Sequence, residues 1–384
     1  MKQSTDSSIG EKLKIARKSL GLSLNEVTKK MGFRNYQTLS NIESGKREVK
    51  AWELARLAHI YYRDINYFLS RQEDKPKDPV VLWREKTETL QVKQYERRFL
   101  NYCNNYHSLE QLLRLHSPKK FKPISCSRDE FTGFGFVDGL AYKYYNMIGL
   151  GSRPAWSLCK ILDERFAVKI LFLKMGQKES GASTFGDFGP AILINANDSP
   201  WRKNYDLAHE FFHLVTWGIF QPKELYSEDA EKSRAEKFAD VFASALLLPM
   251  QEVCEEFENR KKKDNKISYF DCIEIAREFG VSIDALLWRL VNLNLIKRKE
   301  VEKVLNDPEL RQMDRKKRFI DWKKDTPKFS NRYVDLAFRC MQLGLISRGI
   351  FAQYMEIDRQ KIPGFLENYD LDENEDYRFE LTTP

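Results

Sequence analysis

The sequence holds only five histidines in 384 residues, and its six cysteines (Cys103, Cys126, Cys159, Cys254, Cys272 and Cys340) form no CxxC pair. Thiols so far apart are the habit of a reduced, mostly buried set, which predicts a cytoplasmic protein. The first residues, Met1 to Ile9, lack the apolar stretch of a secretory signal. The longest apolar runs, such as Phe242 to Met250, fall far short of a membrane span, so no membrane partner is expected. Apolar residues are not scarce overall. A 42% hydrophobic and 31% charged composition is that of a globular chain, and the length predicts two or three domains. The net charge of +8 is unevenly spread, with 10 Lys/Arg against 4 Asp/Glu between Ile9 and Lys50 and an acidic end around Asp370 to Asp376. A basic N-terminal segment is compatible with nucleic acid, although a solvated surface gives the same balance.

Local punctuation predicts a mostly helical α+β protein. Residues 1–70 read as an all-α domain of short helices. Leu13, Ala16 and Leu20 form one stripe ended by Gly21. Ser23 and Glu26 then form a capping box ahead of Leu24, Val27 and Met31, and Gly32 closes that helix. Residues 71–80, with Pro76 and Pro79, read as a linker. Residues 81–150 read as a helical connector. Its long helix, about Glu85 to Leu115, places Val92, Tyr95, Phe99, Tyr102, Tyr106, Leu109 and Leu113 at heptad spacing. That stripe predicts packing on its own domain or, alternatively, a homodimer seam. Residues 151–265 turn to mixed α/β, with strands at Val168–Leu173 and Ala191–Asn195 and a turn-rich stretch at Gly181–Phe188. Residues 266–360 read as a helical C-terminal region and 361–384 as an acidic tail.

Two of the five histidines fall in His209-Glu210-Phe211-Phe212-His213. On a helix, positions i and i+4 share one face about 5–6 Å apart, so both imidazoles can hold one ion. Glu210 stands one step round, within reach of an activated water as general base. Zn2+ is the expected metal, since it lowers the pKa of bound water to roughly 7. The flanking run NYDLAHEFFHLVTW has no Pro or Gly to break the register. A third protein ligand is required, and no histidine follows His213. The next predicted helix offers Glu236 and Asp240, again at i and i+4, and either carboxylate could ligate while the other orients a histidine N–H.

HEFFH followed by ExxADxFAxxLLLP, from Glu236 to Pro249, closely resembles the ImmA/IrrE metallo-endopeptidases. The resemblance extends from about Gly149 to Ile296, through GPAILINAN upstream and REFGVSIDALLWRLVNLNLI downstream. It implies a zincin-like metallopeptidase domain with a small sheet, in which His209, His213 and Glu236 bind zinc and Glu210 is catalytic. Asp240 then becomes the orienting carboxylate, although the family usually has Asn there. The same resemblance suggests Ala191–Asn195 as an edge strand on which a peptide substrate lies.

Within residues 9–69, Leu24–Met31, a Gly32-Phe33-Arg34 turn and Asn35–Ser44 have helix-turn-helix spacing. Asn35, Tyr36, Gln37, Thr38 and Asn41 are polar at the start of the second helix, as base-reading side chains need to be, with Ser40, Lys46 and Arg47 placed for phosphates. The run NYQTLSNIESGKREVKAWELARLA resembles the XRE (Cro-repressor-like) helix-turn-helix family, which implies DNA as a partner.

Three functions fit these features. The first is a regulatory zinc endopeptidase; the ImmA/IrrE resemblance makes an XRE-type repressor, or a toxin encoded nearby, the expected substrate. The second is a DNA-binding repressor or antitoxin of a toxin-antitoxin or mobile-element system, whose zinc domain senses a signal or binds a partner. The third is a chain that cuts itself between its two modules. Glu210 favours catalysis, since a binding-only domain needs no base.

Overall fold

The structure, a computed structural model, describes residues 8–69, 79–84, 89–115, 121–220, 229–262, 266–318 and 327–373, with 229–232 and 317–318 given by their backbone alone. Most of the expected linker, 71–78, and the last eleven residues of the expected tail lie outside the described residues. The fold is mostly helical with one four-stranded sheet, an α+β arrangement. Among the described residues no helix is long and apolar enough to cross a membrane.

Five short helices come first: α1 (Ile9–Ser19), α2 (Leu24–Met31), α3 (Tyr36–Glu43), α4 (Ala51–Ile60) and α5 (Ile65–Leu69). Ser23 and Glu26 close the capping box that their spacing predicts, and Gly32 ends α2 in the left-handed region at φ 73°. Leu13, Leu20, Val27, Met31, Leu39, Ile42, Leu57 and Phe68 form their shared core. Gly10 is needed for α1 to approach α3, because a Cβ there would stand 2.4 Å from the Ile42 carbonyl oxygen. Arg17 and Glu43 form a bidentate pair inside this bundle, at 2.7 and 2.8 Å.

Strand β1 (Val81–Trp83) and helix α6 (Leu90–Leu112) follow, then α7 (Phe134–Ile148) and α8 (Pro154–Phe166). Strands β2 (Lys169–Leu173), β3 (Gly181–Gly186) and β4 (Gly189–Asn195) lead into α9 (Pro200–Val215) and α10 (Asp229–Leu247). Beyond them lie α11 (Met250–Arg260), α12 (Tyr269–Glu278), α13 (Ile283–Asn292), α14 (Arg298–Leu305) and α15 (Pro308–Arg318). The chain ends with α16 (Asn331–Gln342), α17 (Arg348–Tyr354) and α18 (Ile362–Glu367). The last of these lies in the stretch expected as an acidic tail; it is helical because Ile362 and Leu366 are buried.

The chain divides into two compact units that do not follow sequence order. One comprises Met1–Pro79, Lys86–Leu115 and Tyr333–Pro384; the other comprises Val80–Glu85 and His116–Arg332. In the first, the heptad stripe of α6 is covered by its own chain. The rings of Tyr102 and Tyr106 lie 4.7 and 5.1 Å from that of Tyr333. Of the stripe, Val92, Phe99, Tyr102, Tyr106 and Leu109 are buried, and Tyr95 and Leu113 are half-buried.

In the second unit the strand order is β1-β3-β4-β2. β4 pairs parallel with β2 and antiparallel with β3, and β3 pairs antiparallel with β1. Three expectations are corrected here. Val81–Trp83, placed in a helical connector, is a strand. Gly181–Phe188, read as turns, contributes β3, whose small residues let it lie close against α9. Ala191–Asn195, expected as an edge, is interior, because both neighbours take its backbone hydrogen bonds. β4 thus offers no free edge to a peptide.

Candidate metal centre

Helix α9 packs on β3 and β4 on one side and on α10 on the other. Every residue from Asp206 to Val215 is buried. A helix covered all round is normally apolar, so the polar trio His209, Glu210 and His213 in its middle requires partners. α10 supplies two of them. His209 Nε2 lies 3.0 Å from Glu236 Oε2, and His209 Nδ1 lies 3.0 Å from Asp240 Oδ1. His213 Nε2 lies 3.4 Å from His209 Nε2 and 3.6 Å from Glu236 Oε1. One donor atom from each of His209, His213 and Glu236 lies within 4.8 Å of the others.

This donor set fits a divalent cation. Two imidazole nitrogens face each other beside a carboxylate, the N,N,O set that zinc accepts. His213 Nδ1, Glu236 Oε1 and Glu210 Oε2 are buried without a hydrogen-bond partner among the described residues. Burial pushes His213 down to about 4, so it is neutral at pH 7 with a lone pair to give. At His209, burial is outweighed by the hydrogen bonds to Asp240 and Glu236, which push it up to about 9. Burial pushes Glu210 up to about 8, reinforced by the charge of Glu236 and opposed by His209. An imidazole held basic by two carboxylates marks negative charge around it, which a cation relieves.

The site residues expected from the motif are thus brought together: His209, His213 and Glu236 converge, Glu210 lies beside them, and Asp240 bonds the outer nitrogen of His209. Sequence reasoning missed three contributors. Gly181 on β3 runs against Glu210; a Cβ there would stand 3.1 Å from both Cγ and Oε1 of that residue. Asp206, one turn before Glu210, is pushed up to about 6 by burial and is 3.4 Å from Arg84. Arg84 itself arrives from the end of β1 and also reaches Asp240 at 3.0 Å. The signal for β1 was present in Val80-Val81-Leu82-Trp83, a short apolar, β-branched and aromatic run behind Pro79.

The residues expected to meet DNA lie together at α3 and the turn after it. Tyr36, Gln37, Asn41 and Lys46 are exposed, while Thr38 and Ser40 are half-buried. Two of the set have structural work. Asn35 Oδ1 caps α3, accepting from the Thr38 backbone N–H at 3.2 Å. The Arg47 guanidinium donates to buried Glu53 at 2.8 and 3.2 Å.

The match to a known family covers about a third of the chain, the part that holds this centre. Residues 163–291 match the Peptidase_M78 family, described as an IrrE N-terminal-like domain. Over 110 residues the chain is 31% identical to the radiation response metalloprotease IrrE of Deinococcus deserti. That alignment spans 27% of this chain and 36% of that protein. A Mycobacterium tuberculosis transcriptional regulator of known structure aligns at 15% identity and a TM-score of 0.31, over 48% of this chain and 51% of that one. The peptidase family match takes in β2 to β4, α9 and α10, and so encloses His209, Glu210, His213 and Glu236: residues 163–291 are similar to the IrrE-like metallopeptidases.

Proposed function

We propose that the chain is a zinc-dependent regulatory endopeptidase fused to a DNA-binding module, and that it cuts a transcriptional repressor of XRE type or a toxin encoded nearby. The observation that carries this is the meeting of His209, His213 and Glu236 beside Glu210, a buried carboxyl. When bound, zinc supplies Lewis acidity, making water a nucleophile at neutral pH and polarising a carbonyl. The protein's own residues do the rest. Glu210 accepts the proton of the attacking water and passes it to the leaving amine, breaking the C–N bond. Asp240 holds the outer N–H of His209. The exposed Gln37 and Asn41 of α3 support the DNA-binding part of the reading.

Glu210→Gln separates catalysis from binding. With the neighbouring XRE-type repressor as probe, zinc-loaded wild type is expected to cut it. The Gln variant keeps zinc and loses about 10²- to 10⁴-fold in rate. Equal activity of the two, or a wild type that cuts neither repressor nor toxin, overturns the peptidase reading and leaves a repressor or antitoxin with a sensing zinc domain.

A further inference from the structure

Four carboxylates, from Asp206, Glu210, Glu236 and Asp240, surround the two histidines, and Arg84 reaches three of them. Its Nη2 donates to Asp240 Oδ1 at 3.0 Å, its Nη1 to Asp206 Oδ1 at 3.4 Å, and its Nε lies 3.8 Å from Glu236 Oε2. These are three different nitrogens of one planar group, each addressing a different acid. A lysine ammonium has no such fork.

The contact with Asp240 is the informative one. The Asp240 side chain is 43% exposed, and a solvated carboxylate on a helix surface holds a neighbour weakly. Yet its Oδ1 is also the atom 3.0 Å from His209 Nδ1. Arg84 therefore pins the oxygen that orients His209, whose other nitrogen faces His213 and Glu236. Glu236, the third member of the donor set, feels the same guanidinium through Nε.

The sheet fixes where Arg84 stands. Leu82 belongs to the main hydrophobic core, with Val81 and Trp83 buried beside it. The Thr184 hydroxyl donates to the Val80 carbonyl at 2.9 Å. The register Val81↔Thr184, Leu82↔Ser183, Trp83↔Ala182, continued by one residue, sets Arg84 opposite Gly181, the glycine that abuts Glu210. Strand β1 belongs to the same compact unit as the centre and carries this cation to it.

We infer that Arg84 is a positioning residue of the metal centre: it holds Asp240 and Glu236 so that His209, His213 and Glu236 present a preassembled donor set. This rests on the metallopeptidase reading. It also predicts a sign opposite to that of plain electrostatics. A nearby positive charge repels a dication, so an Arg84 acting through charge alone would weaken metal binding, and its removal would tighten it.

The test uses the full chain stripped of metal with a chelator, as wild type, Arg84→Gln and Arg84→Lys. Zn2+ is titrated in competition with a chromophoric chelator, and thermal unfolding of each metal-free protein is recorded. Arg84→Gln is expected to weaken Zn2+ binding about 10- to 100-fold, the usual effect of losing a partner that orients a ligand. Arg84→Lys, which keeps the charge and loses the fork, weakens it too, by a smaller factor. The metal-free melting temperatures stay within about 2 °C of wild type, as for a partly exposed side chain. Unchanged or tighter Zn2+ binding by Arg84→Gln overturns the inference, and so does a loss of metal-free stability in both variants that accounts for the weaker binding. A wild type that binds no Zn2+ defeats the metal-centre reading itself, a result distinct from either.

Discussion

Gly181→Ala probes how closely β3 is pressed against the Glu210 carboxyl. The added Cβ would stand 3.1 Å from Glu210 Cγ, 3.1 Å from its Oε1 and 3.3 Å from the Leu193 carbonyl oxygen. Comfortable contacts between such atoms start near 3.5 Å, so the overlap is several tenths of an ångström on two sides. Leu193 sits in β4, paired on both edges, and cannot yield. Glu210 is 2% exposed on a helix covered all round, so it yields only by leaving its rotamer. Overpacking of this kind costs about 1–3 kcal/mol. Because φ at Gly181 is not positive, alanine meets no backbone penalty and regains about 0.4–1 kcal/mol by restricting the unfolded chain. At the midpoints of those ranges the net loss is about 1 kcal/mol, a fall of roughly 2–4 °C in melting temperature for a unit of this size. Calorimetry or a denaturant midpoint at unchanged m-value measures it. The same displacement should reduce peptidase rate by about tenfold or more while leaving Zn2+ affinity nearly unaltered. A melting temperature equal to or above that of wild type would refute the packing argument.

Other consequences concern the N-terminal unit. Glu43→Ala leaves Arg17 buried and unpaired, since their side chains are 4% and 10% exposed, and should destabilise that unit by roughly 3–5 kcal/mol. A loss below about 1 kcal/mol in denaturant unfolding would contradict it. Gln37→Ala with Asn41→Ala should weaken sequence-specific binding to DNA flanking the protein's own gene, each lost base contact being worth about 1–3 kcal/mol. An unchanged footprint at fixed salt would count against α3 as the reading helix.

Where the sequence was legible, the interactions were local. The spacing of His209 and His213 is set by helical period alone, and the capping box of Ser23 and Glu26 with its closing Gly32 is set within one turn at each end. What escaped was long in range. β1 pairs with β3 about a hundred residues away, and three residues are too few to show alternation. β3 looked like a turn because Gly181, Ala182 and Ser183 are small, and they are small because α9 passes behind them. The interior place of β4 depends on both neighbours, neither of which a propensity reports. Asn35 illustrates the same limit at short range: polar and exposed, it fits a base reader in sequence and a helix cap in structure.

Zinc stoichiometry tests the account most directly. Metal analysis of the full chain, purified without chelator and equilibrated with Zn2+, should give one tightly bound zinc per chain. Glu236→Gln and His213→Ala should each lower that affinity by two or more orders of magnitude, by about 3 kcal/mol or more, while Glu210→Gln keeps it. A wild type that binds no zinc, or a Glu236→Gln/His213→Ala double variant that binds it as tightly as wild type, would contradict the assignment of this centre.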